Sequence, residues 1–456
     1  MGKNVHRTVR VALRLTQAQR RRCFGLLRAA GDVRAWVLDC NRQLLAWGMA
    51  PVTNYAALCR ELAGLKFGEL DMVGARSVLR RYSTSWFEAA KRRKAGIKVG
   101  FPRRKKALVP VRWYNRTFVI TAKTVRIPVC RGSEPLLVHL SREIPYPIEA
   151  VRSLTLVCEA GRLYLDITAE LPVENHDLDP ARVAGIDLGV IHPFAVAFSD
   201  QALLISGRAL RAEERLHLED TKRRQRKMSR KIPKRGQRGS RRYRKLRRSQ
   251  QRAEARHRRA IRQSHHEAAR KVIEFALENK IATLVVGDLK GITHQDAGRR
   301  QNLRLRQWRR THLLSCLKDK AEIAGIEVVL VNERGTSSSC PECEEKVAKP
   351  RNRNFSCKSC GYAGHRDITG ARNIAALGGG RTSTPVLVTH RRAGRPPARR
   401  DRRRHLYDAR RSCPAPGRPG VRSRESLVGK GHPASSREAP CLLPSNRRGS
   451  ANRSLR

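Results

Sequence analysis

The sequence predicts an α/β unit bearing a cysteine ribbon, preceded by a β-barrel or small sheet with a helical insertion and followed by a structureless basic tail. Three observations predict it. Residues 107–170 break into short β-like runs after a stretch of helical periodicity. Residues 182–335 read in the order β-β-β-α-β-α-β. Two CxxC pairs follow at 340–343 and 357–360.

Taken in order, residues 5–14 alternate apolar and polar side chains as a strand does, and Thr16 then opens a helical pattern through Leu27. A second helix over about 32–48 and helical periodicity in 54–64 and 72–94 complete the insertion, about 16–95. The β runs of 107–170 end in a hairpin at Glu159-Ala160-Gly161, which closes a first unit of 1–175. Segment 172–181, PVENHDLDPA, is polar and carries proline, as a linker does. From 182 to 335 come AGIDLGVIHPFAVAFSDQALLISG, basic helices over 209–277, the buried strand IATLVVGD, a further basic helix and a second buried strand, IEVVLVNE. The ribbon occupies 336–363, a closing helix 364–377, and a tail 378–456. Residues 381–456 hold 20 Lys/Arg, 4 Asp/Glu and 9 Pro with few large apolar residues, a composition that cannot bury a core.

Charge narrows the function. The 456 residues carry 97 Lys+Arg against 39 Asp+Glu, a formal charge of +58. A surplus of that size binds polyanions by counterion release, so nucleic acid is the default partner. Half of the 42 residues in 221–262 are Lys or Arg, and Glu254 is the single acid among them. Such a stretch repels itself unless an anion covers it, and it offers Arg223, Arg224, Arg241, Arg242, Arg244, Lys245, Arg247 and Arg248 to a nucleic acid. No apolar run is long enough to span a bilayer, and the N-terminus alternates where a secretory signal would be continuously apolar, so a cytoplasmic location is expected. The five tryptophans (Trp36, Trp47, Trp86, Trp113, Trp308) sit mostly at apolar positions and read as core, although base stacking is the other use for them.

Of twelve cysteines, eight (Cys23, Cys40, Cys59, Cys130, Cys158, Cys316, Cys413, Cys441) lack regular spacing and read as buried or incidental thiols. Cys340, Cys343, Cys357 and Cys360 are different. Two-residue spacing lets two thiolates face one ion, and two such knuckles supply the tetrahedral set that structural Zn²⁺ prefers, with Gly361 at the turn of the second. His365 then reads as a helix-entry residue rather than a fifth ligand.

Acidic residues are scarce, yet Asp187, Asp288 and Glu333 each close or follow a strand, and Asp367 begins the closing helix. In an α/β sheet those ends converge on one crevice. Carboxylates gathered there repel one another unless they hold divalent cations, and Mg²⁺ held so is machinery for phosphodiester hydrolysis.

In order along the chain, GIDLG, GSRRYRK, VVGDLKGI, ERGTSSSCPEC with FSCKSCG, and HRDITGARNIAAL resemble the transposon-encoded TnpB family, relatives of the type V CRISPR effector nucleases. The resemblance covers about 5–377, with its specific motifs in 183–377. It implies an RNase H-like, RuvC-type nuclease domain with an inserted zinc ribbon, a wedge β-barrel with a helical recognition insertion, a guide RNA from the element, and double-stranded DNA targets beside a short motif. A dimer is compatible with it. One residue departs from the family pattern: where the second nuclease motif usually has Glu before Asp-Leu, this chain has Gly287. Asp288 points to the opposite face of a regular strand, and Glu333, at the end of the neighbouring strand, reaches further. The expected metal set is therefore Asp187, Glu333 and Asp367, with Asp288 a lesser candidate. The alternatives are an RNA-guided DNA binder with a degraded nuclease site, and a transposase proper.

Overall fold

A sheet and three helices share one core in the first part of the chain. The computed structural model describes residues 4–103, 105–234, 236–288, 298–348 and 353–394, all within the unit Met1–Pro397. Strand β1 (Asn4–Arg14) leads into helix α1 (Gln17–Ala46), capped by a reciprocal Thr16–Gln19 box. Helices α2 (Tyr55–Glu61) and α3 (Met72–Lys94) follow. Then come β2 (Val111–Tyr114), β3 (Val119–Ile120), β4 (Thr124–Ile127), β5 (Leu136–Leu140), β6 (Val151–Glu159) and β7 (Arg162–Pro172). All pairings are antiparallel, in the order β2-β6-β7-β1-β5-β4-β3.

Among the described residues this sheet is open, a half-barrel and not the closed barrel expected. Its edge strands β2 and β3 have four and two residues, too short to zip together. The helices cover the apolar face instead: Leu26, Leu27 and Val33 of α1 and Val78, Leu79 and Tyr82 of α3 pack with Trp113, Val138, Leu154 and Leu165. The two helices expected at 16–27 and 32–48 are one, because Gly31 continues the helix where the 106–107 backbone crosses within 2.6 Å of a would-be Cβ. The β6–β7 hairpin turns on Ala160 and Gly161, both at positive φ as a type I′ turn requires. Four tryptophans lie in or against apolar cores; Trp47 is exposed.

The linker shortens to 173–178, since β8 (Asp179–Asp187) begins early. Strand β9 (Phe194–Ser206) changes direction at Ser199, whose φ is positive: its first part pairs with β8 and its second with β14 (Thr382–Arg392). Helices α4 (Arg208–Ser229) and α5 (Arg241–Glu278), strand β10 (Ile281–Asp288), helices α6 (Gly298–Gln307) and α7 (Arg310–Ile323), and strand β11 (Glu327–Asn332) complete the α/β layer. The sheet order is β11-β10-β8-β9-β14; β8, β10 and β11 are parallel, so their carboxyl ends share one edge. α5 and α7 cover one face. Strands β12 (Asn354–Ser356) and β13 (Ala363–His365) form the ribbon, and helix α8 (Arg366–Leu377) covers the other face.

β14 lies in the segment expected to be structureless. TSTPVLVTHRR pairs from Leu387 onward along the edge that β9 leaves open, and that edge is a tertiary feature. The tail from 395 onward, like Leu289 of the second nuclease motif, lies outside the described residues. No helix among the described residues is long and apolar enough to cross a membrane.

Candidate active site and zinc ribbon

Gly185 decides how α8 sits. A Cβ there would overlap the Ala371 carbonyl and approach Ala375 Cβ to 2.8 Å, so glycine lets helix backbone lie directly on β8. That contact carries Gly370 to Asp187 and the helix N-terminus to the carboxyl edge of the sheet. A cleft of about 1310 Å³ opens there, and Asp187, Asp288, Glu333 and Asp367 all line it.

The four acids are not equivalent. A Cβ on residue 287 would overlap the Glu333 carboxylate and come within 3.0 Å of Glu333 Cβ. Glu333 therefore fills the space in which a side chain at 287 would begin. Its Oε2 is buried and has no hydrogen-bond partner among the described residues. Burial and then Asp288 push the Glu333 carboxyl up to about 7, against Arg310. Asp187 is likewise pushed up to about 7, by burial first and then by Asp367 and Glu333, against Arg366 and Arg353. Asp187 thus answers to Asp367 and Glu333, and Asp288 acts on the group through Glu333.

Asp367 behaves oppositely. Burial opposes its ionisation, but a 2.7 Å hydrogen bond with His192 Nδ1 and an ion pair with Arg353 hold it below the usual carboxylate range. His365 caps α8 by accepting from the Asp367 backbone N–H at 3.3 Å, the helix-entry role its position suggested. His192 and Arg353 escaped sequence reading because each lies far along the chain from Asp367 or within a different element; His192 in the turn after GIDLG was the one available signal.

The Asp187 shift has a consequence in metal-free protein. Below about pH 4 the group is protonated whether folded or not; between there and about 7 only the unfolded chain ionises, so stability falls as pH rises through that window. Asp187→Asn is expected to raise Tm at pH 8 and to leave it nearly unchanged at pH 4, measured by thermal melts in magnesium-free buffer; equal effects at both pH values would contradict the assignment.

The four ribbon cysteines meet as the spacing predicts. Cys340 Sγ lies 3.5 Å from Cys360 Sγ, and Cys343 Sγ lies 3.6 Å from Cys357 Sγ. These are close to the edge of about 3.8 Å in a tetrahedral thiolate site with bonds of about 2.3 Å. The set suits a zinc ion. In both knuckles the first cysteine's N–H donates to the carbonyl five residues on, Glu345 at 2.9 Å and Tyr362 at 2.8 Å. The residue after the second cysteine takes positive φ in each: Gly361 in one, Glu344 in the other. A side chain in that conformation costs about 1 kcal/mol, so Glu344→Gly is expected to strengthen the ribbon by that order, read as slower loss of zinc to a chelator. Phe355 and Tyr362 fill the small core, and the Tyr362 hydroxyl reaches Thr369 of α8 at 3.2 Å.

Two family models match the chain: a Cas12f1-like TNB domain over residues 311–374 and a probable transposase family, OrfB of IS605, over 166–293. CRISPR-associated endodeoxyribonuclease Cas12f1 of Syntrophomonas palmitatica is 26% identical over 222 residues, 48% of this chain and 43% of that protein. Over that stretch the chain is similar to Cas12f1. This agrees with the TnpB resemblance. Cas12f1 of Sulfoacidibacillus thermotolerans is 32% identical over 114 residues, 25% of this chain and 26% of the relative. The matches thus span about a quarter and less than half of these two relatives. In fold, the chain is similar to the Cas12f1 protein of a Cas12f1–sgRNA–target DNA complex, with a TM-score of 0.57 at 15% identity over 79% of this chain and 83% of that one.

The basic residues expected at a nucleic acid gather at the tip of the α4–α5 hairpin. Arg223, Arg241, Arg242, Lys245, Arg247 and Arg248 are exposed there, Arg244 is half-buried, and Arg224 pairs with Asp220 at 3.0 Å. The first turn of α5 contains no acid, so cations crowd the positive end of a helix dipole.

Proposed function

We propose that the chain is an RNA-guided, Mg²⁺-dependent DNA endonuclease with an RNase H-like, RuvC-type nuclease domain and a structural zinc ribbon. The observation that carries it is the Glu333 carboxylate lying over Gly287, with a buried Oε2 that has no partner among the described residues, in a cleft that Asp187, Asp288 and Asp367 also line. An acid moved to the adjacent parallel strand restores a carboxylate to the place that glycine leaves bare, and an orphaned carboxylate oxygen fits a cation. Asp187, Glu333 and Asp367 are the residues that would hold Mg²⁺, which supplies Lewis acidity and a more acidic bound water. The parallel edge formed by β8, β10 and β11, with β9 antiparallel to β8, supports the nuclease fold.

The remaining steps belong to the chain. His192 and Arg353 keep Asp367 ionised, while Asp187 and Glu333 must release protons before both can serve a cation, so Mg²⁺ affinity is expected to fall as pH drops through about 7. Arg211 and Arg304 also line the cleft, and the Arg211 pKa is depressed by burial and then by Arg304, Arg215 and Arg353. Cations that crowd one another in this way are relieved by phosphate. The basic hairpin tip and the half-barrel would hold guide RNA and the guide–target duplex, whose base pairing reads sequence. Incubating the chain with copurified RNA and a plasmid carrying the matched target tests this: linearisation that requires Mg²⁺ and guide supports it. Guide-dependent retention in a gel shift without any cutting favours the binder with a degraded site.

A further inference from the structure

Helices α5 and α7 pack through small and branched residues, among them Ala268, Ala269, Leu313 and Leu317. In the same seam α5 contributes His265 and His266, and α7 contributes His312 and Cys316, one turn apart on a single face. Ligand atoms of His266, His312 and Cys316 all lie within 4.8 Å of one another. Cys316 Sγ is 3.9 Å from His266 Nε2, and it is 3.5 Å from Nδ1 and 4.0 Å from Nε2 of His312. The corresponding N···S edge of a tetrahedral zinc site, from bonds of about 2.05 and 2.3 Å, is about 3.5 Å, so modest side-chain rotation closes the set.

A second observation concerns the tautomer. His265 Nδ1 lies 2.9 Å from His312 Nδ1, and two ring nitrogens at that distance share one proton. With His312 Nδ1–H donating to His265, the His312 Nε2 lone pair is left free for an ion, the arrangement that metal-bound histidines adopt with their supporting partners. Burial lowers the pKa of all three imidazoles, His265 to about 4, so they stay neutral donors, and it raises the Cys316 thiol to about 11. Arg262 and Lys320 face the group as well, and Asp319 offsets part of their charge.

We infer that His266, His312 and Cys316 form a second zinc site, distinct from the four-cysteine ribbon and outside the acidic cleft, that clamps the basic helix α5 to α7. Two imidazoles and one thiolate suit Zn²⁺, with a fourth position for water, and binding displaces the Cys316 thiol proton to solvent.

The test loads the full-length chain with zinc alone, removes the excess and measures metal per chain. Two zinc ions are expected, falling to one in Cys316→Ser. Cys357→Ser is expected to keep one, and after replacement by Co²⁺ that remaining ion should show single-thiolate charge-transfer absorption. Should Cys316→Ser fail to fold, His266→Gln, which keeps the buried thiol, must also lose one zinc. His265→Phe should weaken the second ion by about 10–100-fold while stoichiometry at saturation stays at two. One zinc in the wild type, or unchanged zinc in both the Cys316 and the His266 variants, overturns the site.

Discussion

Glu333→Ala is expected to lower Mg²⁺-dependent DNA cleavage by at least about 10³-fold, the scale of several kcal/mol of charge stabilisation at the reacting phosphate. Asp288→Ala is expected to cost far less. The asymmetry follows from the electrostatic neighbourhood: Asp187 feels Asp367 and Glu333, whereas Asp288 bears on Glu333. The exchange variant is more demanding. Gly287→Ala alone should impair cleavage, because its Cβ meets the Glu333 carboxylate, while Gly287→Glu combined with Glu333→Gly should recover most of the activity by returning the acid to the neighbouring strand. Cleavage rates on a supercoiled target, with guide binding measured beside them, check all four variants. Full activity in Glu333→Ala would end the relocation hypothesis.

The second large effect concerns the ribbon. Cys357→Ser is expected to abolish zinc binding at the four-cysteine site, and cleavage should fall with it. A structural zinc contributes on the order of 10 kcal/mol to a small ribbon, and four residues around two knuckles cannot replace that. The loss travels because the ribbon is continuous with the active site. Arg353, beside β12, pairs with Asp367; Tyr362 bonds Thr369; and β13 runs straight into the His365 cap of α8. Asn373 of α8 also donates to the Thr336 and Ser339 carbonyls, 2.6 and 2.9 Å away, tying the helix to the segment that follows Glu333. Metal content by mass spectrometry and the cleavage rate should therefore fall together. Intact zinc stoichiometry in this variant would refute the ligand assignment, and lost zinc with unimpaired cutting would refute the coupling.

Local chemistry was legible in the residues themselves. Two CxxC pairs state their geometry because three peptide units between knuckle cysteines leave few ways to arrange two thiolates, and the apolar runs of β8 and β10 announce buried strands by composition, whereas β11, whose run reads the same way, is an edge strand with no buried residue. Even the acids could be found, because carboxylates at the ends of buried parallel strands have one edge to share. What escaped was any feature that depends on a partner distant in sequence. The barrel failed to close because strand lengths at its edges are set by pairing, and β14 formed on an edge that no local pattern reveals. His192 and Arg353 took charge of Asp367 from other elements. The His266–His312–Cys316 group has no spacing signature, since α5 and α7 meet through packing.

The sequence by itself determined that the chain carries a large positive surplus, that four cysteines come together and that acids lie at one sheet edge, because charge density, knuckle spacing and hydrophobic period are properties of short segments. Only the tertiary structure decided which acid stands where Gly287 has no side chain. That choice depends on the register of two parallel strands and on the absence of a Cβ, which together give Glu333 the room to lie across its neighbour.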